Sequence, residues 1–291
     1  MSRYLNPYTD FGFKKLFGEE GNKDLLTDFL NQLLPPKHQI DTLHFKNVEN
    51  LPDLSVERKA IFDIYCKSVM GEEFIVEMQK AKLNFFKDRA LFYSTFPIRE
   101  QAKKGEWDFE LQPIYYVAIL DFKYDEKEEK KKLLRDVALR DQEGQLFYDK
   151  LNLIFIQMPL FKKQAHELKD HFDKWLYFLK NLDSFDHIPA ILKEPIFEKA
   201  FNTLEEANLT KEQLEQYQKS LLTYWELKGV VDTARDEGEA KGRAQGLIEG
   251  EIKGIEKGIR LTAQKLKQEG LSVEMIAKVT GLTVEEVKQL Q

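Results

Sequence analysis

The sequence predicts an α/β or α+β fold whose C-terminal half is helical. Two observations support this fold class. Residues 40–80 are rich in β-branched and aromatic residues and are divided by Gly71, which is typical of strands joined as a hairpin. Apolar residues recur at helical spacing before this stretch, after it, and throughout the chain beyond about residue 165. The resulting order is helices, strands, a helix, two strands and then helices only.

The N-terminal elements each have a local signal. A first helix is expected to start at Asp10, and a second amphipathic stretch, DLLTDFLNQLLP, ends at Pro35 and Pro36. Helical spacing returns over 82–104 in the residues Phe85, Arg89, Phe92, Tyr93 and Phe96. Pro97 predicts a kink or a break in that helix, because proline lacks the backbone N–H that the helix needs.

Two apolar runs, 113–122 and 152–158, predict single strands. The charge-dense run KYDEKEEKKKLLRD between them predicts a solvated turn or hairpin tip without chemistry.

The composition limits the possible partners and compartments. The 291 residues include 44 Lys and Arg against 50 Asp and Glu, a formal charge of −6, so any DNA contact needs a local basic surface. Cys66 is the single cysteine and cannot form an internal disulfide, which indicates a reducing compartment. The opening residues lack a signal-peptide pattern, and the apolar run 114–120 is too short to span a bilayer. We therefore expect a cytoplasmic protein that does not enter membranes.

The pattern suggests three parts, with a large domain at 1–230, a glycine-repeat segment at 231–262 and a small tail at 263–291. In the repeat, glycine recurs at every fourth position, so the segment is either a self-association surface that makes the chain a homo-oligomer, such as a dimer, or a plain spacer. The tail resembles a helix-turn-helix. The expected N-caps are Ser272 and Thr283, the latter in a capping box with Glu286, and Gly281 is expected to end the middle helix. Glu285 and Glu286 disfavour base reading and favour a protein-contact module.

The predicted hairpin carries candidate chemistry. Alternation puts Asp63 on one face with Ile61 and Tyr65, and Phe62, Ile64 and Cys66 on the other; Glu77 and Gln79 likewise share a face. A three-residue turn, Val69 to Gly71, would place Asp63 opposite Glu77 and Ile61 opposite Gln79. Opposed like charges destabilise a sheet unless a cation neutralises them, and Mg²⁺ prefers such oxygen ligands. The Met78 carbonyl could add a third ligand. The alternative is that this is only the wet face of an amphipathic hairpin.

Several segments together resemble the PD-(D/E)XK nuclease superfamily. The segments are TDFGFKKLF, ERKAIFDIYC, EEFIVEMQKAK, a following helix with Arg89 and Tyr93, and then a buried strand. More narrowly, over about residues 1–260, the chain resembles the Rpn branch of bacterial recombination-promoting nucleases, also described as transposases. This resemblance implies an α/β restriction-endonuclease-like core with a mixed central sheet flanked by helices, and DNA as partner. It also implies Mg²⁺ as cofactor, with Mn²⁺ or Ca²⁺ able to substitute.

Carried over by residue, the resemblance makes Asp63 the first metal-binding acid and Glu77 the acid of the E-x-K element. Gln79, the third catalytic candidate, stands where most members have lysine. An amide can only hydrogen-bond and help to position the attacking water, whereas an ammonium would also stabilise charge. Lys80, Lys82 or Arg89 could supply that charge. Further site candidates are Tyr93 and Asp10, which matches an N-terminal acid of the branch but is equally well placed as a helix N-cap.

The predicted function is Mg²⁺-dependent hydrolysis of DNA by an endonuclease that promotes recombination or acts on mobile or foreign DNA. One alternative is a DNA-associated interaction protein that keeps the fold but has lost turnover; another is a transposase-related protein. Other chemistries find no support, since the sequence has no phosphate-binding glycine loop and no G-x-S-x-G element. His166 and His171 are five residues apart, and the five histidines show no zinc spacing.

Overall fold

A computed structural model describes residues 2–46, 62–82, 84–102, 108–124 and 132–290. The chain divides into two compact units, Met1–Lys228 and Gly229–Gln291. The helices are α1 (Asp10–Phe17), α2 (Lys23–Asn31), α3 (Phe86–Glu100), α4 (His171–Asn181), α5 (Pro195–Thr203), α6 (Lys211–Gln268), α7 (Val273–Thr280) and α8 (Val284–Gln289). The strands are β1 (Leu43–Phe45), β2 (Ile64–Ser68), β3 (Glu73–Gln79), β4 (Ile114–Leu120), β5 (Leu134–Arg140) and β6 (Leu146–Gln157).

The six strands form one mixed sheet in the N-terminal unit, in the order β1-β2-β3-β4-β6-β5. β2 and β3 are antiparallel, β3, β4 and β6 are parallel to one another, and β5 returns antiparallel to β6. Parallel strands need a crossover, and α3 makes the one between β3 and β4. The predicted α/β class with a mixed central sheet and flanking helices is confirmed.

The two sheet faces are buried in two separate clusters. On one face α1, α2, α4 and α5 pack around Trp175, whose ring lies 4.9 Å from Phe197, 5.6 Å from Phe17 and 5.8 Å from Phe29. The other face packs against α3 through a smaller cluster, comprising Phe62, Tyr65, Ile75, Phe86, Ala90, Phe96, Tyr116, Ala118, Leu120, Leu153 and Phe155. This second face is the one that carries the candidate site.

The β2–β3 hairpin has the predicted turn and register. Gly71 closes the three-residue turn at φ +107°, a backbone conformation that favours glycine. Ile64 pairs with Val76 and Lys67 with Glu73, the register that puts Asp63 at the level of Glu77. Asp63 itself lies one residue before β2 begins. The predicted pairing of Ile61 lies outside the described residues.

Two local predictions are wrong, and a third is wrong in one of its two alternatives. Phe62 does not share a face with Ile64; it packs beside Tyr65, with ring centroids 5.7 Å apart, because the chain bends at Asp63 before the strand starts. β5 begins inside the charge-dense run that was predicted to be only a turn or hairpin tip, although residues 125–131 of that run lie outside the described part. The predicted break at Pro97 does not occur, since α3 continues to Glu100, and the alternative of a kink there stays a prediction.

The C-terminal unit contains a small helical core. Ala263, Ile276 and Val287 are fully buried against one another. The predicted caps are confirmed: the Ser272 hydroxyl accepts from the Met275 N–H, and Thr283 forms a capping box with Glu286. The glycine repeat is helical, and a Cβ placed at any of its glycines would meet open space. Across the described residues, no helix combines the length and apolarity required to cross a bilayer.

Candidate active site

Glu77 is a carboxylate buried in the middle of the sheet. It lies on the internal strand β3 with only 2% of its surface exposed. Tyr116 of β4 donates its hydroxyl hydrogen to Glu77 Oε2 at 2.6 Å, and Gln79 Nε2 donates to the same oxygen at 2.5 Å. Burial raises the pKa of Glu77 to about 7, with a further raise from Asp63, although both donors and Arg89 favour the charged form. A buried acid of this kind needs a positive partner to ionise fully at neutral pH.

Asp63 is held beside Glu77 by the edge of the same hairpin. Its Oδ2 accepts a hydrogen bond from the backbone N–H of Met78 at 2.7 Å. The Asp63 side chain thus replaces the backbone carbonyl that would accept this bond if β2 began earlier. Burial also raises the pKa of Asp63, against the lowering effect of that hydrogen bond. The N–H and C=O of one strand residue point to the same side, so the Met78 carbonyl also faces away from β4 and towards Asp63.

The two acids line one open cleft of about 290 Å³ in the N-terminal unit. Most of the predicted site residues line it, together with Ala81 and Leu227: Asp10, Asp63, Glu77, Met78, Gln79, Lys80, Arg89 and Tyr93. Lys82 does not line the cleft, so the prediction that it could serve this site finds no support. The wet-face alternative is wrong, because every residue of β3 is buried and α3 covers this side of the sheet.

Arg89 connects α3 to the hairpin. Its Nη2 donates to Gln79 Oε1 and lies 3.9 Å from Glu77 Oε2, and its guanidinium stands 5.6 Å from the Tyr93 ring centroid. The helical spacing of four residues brings Tyr93 under Arg89. The Nε of Arg89 is buried and has no hydrogen-bond partner among the described residues. The Arg89 side chain as a whole is 32% exposed and lines the cleft, and a guanidinium in this position suits an anion that enters it.

Two details of the site escaped the sequence reasoning. Tyr116 contacts Glu77, whereas the run 113–122 was predicted only to form a strand. The parallel register pairs Tyr116 with Ile75, so its side chain reaches the row of Glu77 and Gln79. Asp10 is not an N-cap: Thr9 caps α1, and Asp10 is the first helical residue and pairs with Lys14 at 3.0 Å. A search for alternation within β4 would have found the first of these.

The oxygen atoms of the cleft suit a hard divalent cation. Asp63 Oδ1 and Glu77 Oε1 receive no hydrogen bond from any described residue, while the other oxygen of each acid is already bonded. Mg²⁺ is commonly held by one or two carboxylates, with water and substrate phosphate completing the shell. Among the described residues, no three His, Cys, Asp or Glu side chains lie so that together they could hold a metal ion, so a cation here would rely on this pair and the Met78 carbonyl.

The raised acid pKa values predict a pH-dependent stability of the metal-free protein. Glu77 has a pKa of about 7 when folded, against an ordinary 4.5, so its favourable contribution is complete below pH 4.5 and is lost as the pH rises through 7. We expect the metal-free protein to lose up to about 3 kcal/mol of stability from this group between pH 5 and 8. Thermal melts in EDTA across this range measure it. The Glu77→Gln variant should flatten the curve, and an identical slope in both proteins would contradict the assignment.

The comparison with protein families agrees with this geometry. A family model described as PD-(D/E)XK nuclease family transposase matches residues 7–234, which include every strand of the described residues and the whole cleft. Neither the curated proteins nor the solved structures contain a significant match. Because the matched region covers well over half of the 291 residues, the chain belongs to the PD-(D/E)XK nuclease family of transposases.

Proposed function

We propose that the protein is a Mg²⁺-dependent DNA endonuclease that hydrolyses phosphodiester bonds. The observation that carries the proposal is the convergence of Asp63, Glu77 and Arg89 on one cleft, two acids from neighbouring segments beside a cation from α3. Two desolvated acids with unbonded oxygens favour binding of a cation, and the cation and Arg89 together favour a phosphate. Mn²⁺ or Ca²⁺ would be able to occupy the same oxygen ligands.

The proposed ligands of the ion are Asp63, Glu77 and the Met78 carbonyl. A bound Mg²⁺ supplies Lewis-acid polarisation of the phosphate and lowers the pKa of a coordinated water. Glu77 is kept in place by Tyr116, and Asp63 by the Met78 N–H, so both acids are oriented before substrate arrives.

The orientation of Gln79 limits its part in the reaction. Its Oε1 accepts from Arg89, so its Nε2 must point towards Glu77 and can only donate. An amide is not basic enough to take a proton from water, so Gln79 acts only through its hydrogen bonds. Its side chain forms hydrogen bonds with both Arg89 and Glu77 and so fixes their relative positions. Arg89 supplies the positive charge that lysine would supply in an E-x-K site. That charge can stabilise the negative charge that develops on the transferred phosphate.

The proposed substrate is DNA in the cytoplasm. In the proposed context, this DNA is undergoing recombination or is of mobile or foreign origin. The chain as a whole is acidic, so the attraction to phosphate has to be local. Lys80 and Arg89 line the cleft and supply it.

The decisive experiment is nicking of supercoiled plasmid by the purified full chain. We expect relaxed circles to accumulate with Mg²⁺ or Mn²⁺ and none to form in EDTA. Parallel gel-shift measurements in Ca²⁺ report DNA binding separately from cleavage. DNA binding without cleavage under every metal tested would exclude the nuclease proposal and favour a DNA-associated interaction protein on the same fold.

We also retain self-association through the C-terminal helical region as a proposal. In the second unit, Ile248, Ile252 and Ile255 are 52–59% exposed and spaced by four and three residues, which puts them on one face of α6. Such an apolar stripe on an exposed helix is the pattern of a helix that packs against a partner helix.

A further inference from the structure

The outer edge of β5 offers a row of backbone groups for pairing. β5 is the last strand of the sheet, and no described strand lies beyond it. Gln157 donates its N–H to the Leu133 carbonyl, and Asp141 donates to the Gln145 carbonyl. The odd-numbered residues thus face β6. Along Leu134–Ala138 the pairing with β6 is regular, so the N–H and C=O groups of Leu134, Asp136 and Ala138 point outwards, because these groups alternate along a strand. The pairing shifts at Ala138/Leu139 and at Leu139/Arg140, where the additional residues lie on β6. The N–H of Asp141 again faces β6, which leaves the backbone groups of Arg140 pointing outwards.

The sequence of this edge is complementary to itself. Residues 135–141 read Arg-Asp-Val-Ala-Leu-Arg-Asp. An antiparallel copy centred on Ala138 puts Asp136 opposite Arg140, Arg135 opposite Asp141 and Val137 opposite Leu139. Every charge of residues 135–141 then meets an opposite charge and Val137 meets Leu139, while Leu134, the first residue of β5, meets Gln142. Opposite charges placed directly across a pair of strands stabilise it.

Other registers with the same backbone pairing are less favourable. A shift that centres the pair on Asp136 opposes two aspartates, and one that centres it on Arg140 opposes two arginines. Centring on Val137 or Leu139 forms no direct charge pair between residues of β5. The even-numbered residues with outward backbone groups pair with one another in the Ala138-centred register, so hydrogen bonding and charge favour the same arrangement.

An apolar groove of about 280 Å³ adjoins this edge on the α3 face of the sheet. Leu91, Val137, Leu139, Leu153 and Phe155 contribute to its lining, and Leu139 is 44% exposed. Val137 and Leu139 are the residues that would meet across the Ala138-centred pair. An exposed strand edge beside an apolar groove is a site where sheets add strands, and natural proteins otherwise protect such edges.

We propose that β5 pairs antiparallel with β5 of a second copy of this chain about a two-fold axis at Ala138, joining two six-stranded sheets. The contact is isologous, since the same surface serves both copies. It uses the N-terminal unit, it is distinct from the α6 stripe, and it does not depend on the nuclease proposal.

Disulfide trapping tests this register in the full chain. Hydrogen-bonded antiparallel pairs place Cα atoms about 5.5 Å apart, a separation that a disulfide spans. The Ala138→Cys variant should form a covalent dimer under mild oxidation, since the native Cys66 is fully buried. A matched control, Glu198→Cys on the exposed surface of α5, should remain monomeric on a non-reducing gel.

Charge reversal in the Ala138→Cys background tests the pairing itself. Asp136→Arg creates two repulsive pairs per dimer and should weaken the dimer roughly tenfold or more. Adding Arg140→Asp swaps the pair and should restore the cross-link, whereas Glu198→Arg should leave it unchanged. Absence of the cross-link in an Ala138→Cys chain that is dimeric by sedimentation, or a cross-link insensitive to Asp136→Arg, would overturn the proposal. The first of these results would indicate a dimer formed through the tail.

Discussion

Replacing Glu77 by Gln should remove metal-dependent nicking while leaving the fold intact. The amide has the same shape, and Tyr116 can still donate to its oxygen, so the packing of β3 against β4 is retained. The charge that the cation needs is lost. We expect cleavage to fall by at least about 100-fold, since even the outer partners of metal ligands cost about 10- to 100-fold when removed. Rates of plasmid nicking at saturating Mg²⁺ measure this loss.

The same variant should separate catalysis from stability. At pH 8 without metal, Glu77→Gln should melt at the same temperature as the wild type or higher, because it no longer buries a charge. Asp63→Asn should also lose cleavage, and titration calorimetry should show weaker Mn²⁺ binding in both variants. Glu198→Gln is the matched surface control. Nicking at the wild-type rate by either acid variant would exclude that acid from the site.

Replacing Arg89 by Ala should reduce nicking by about 10²- to 10³-fold, the usual cost of removing one charge-stabilising donor. The change also leaves Gln79 Oε1 without its donor and removes a cation that favours ionised Glu77. If Arg89 acted only by filling space, any side chain of similar size would restore the nicking rate. Arg89→Met fills it without charge and should stay inactive, whereas Arg89→Lys should regain part of the rate.

The position of the charge can be tested by moving it. Gln79→Lys alone puts an ammonium beside the Arg89 guanidinium, and the repulsion should prevent a gain in rate. The double change Gln79→Lys with Arg89→Gln places a single cation at the lysine position of an E-x-K element, and we expect it to recover activity. If neither Arg89→Ala nor Gln79→Lys alters the rate, the proposed exchange of lysine for arginine is wrong.

The candidate site could be predicted from the sequence as far as local geometry reaches. The turn at Gly71 sets the hairpin register, and side chains alternate along strands, so Asp63 and Glu77 could be placed at the same level. Helical spacing likewise put Arg89 and Tyr93 on one face of α3. Which of Lys80, Lys82 and Arg89 reaches Gln79 could not be predicted, because it depends on where α3 packs on the sheet.

The sequence by itself determined the hairpin, the start of α1, the caps of the C-terminal helices and the mixture of helix and strand, since each follows from turn chemistry and side-chain periodicity within a few residues. The tertiary structure decided the burial of Glu77, its bond to Tyr116 and the bend that turns Phe62 towards Tyr65. It also made β5 a strand although its sequence begins in a run of charge. These features depend on pairing and packing between separate segments of the chain, where burial and backbone hydrogen bonding override local propensity.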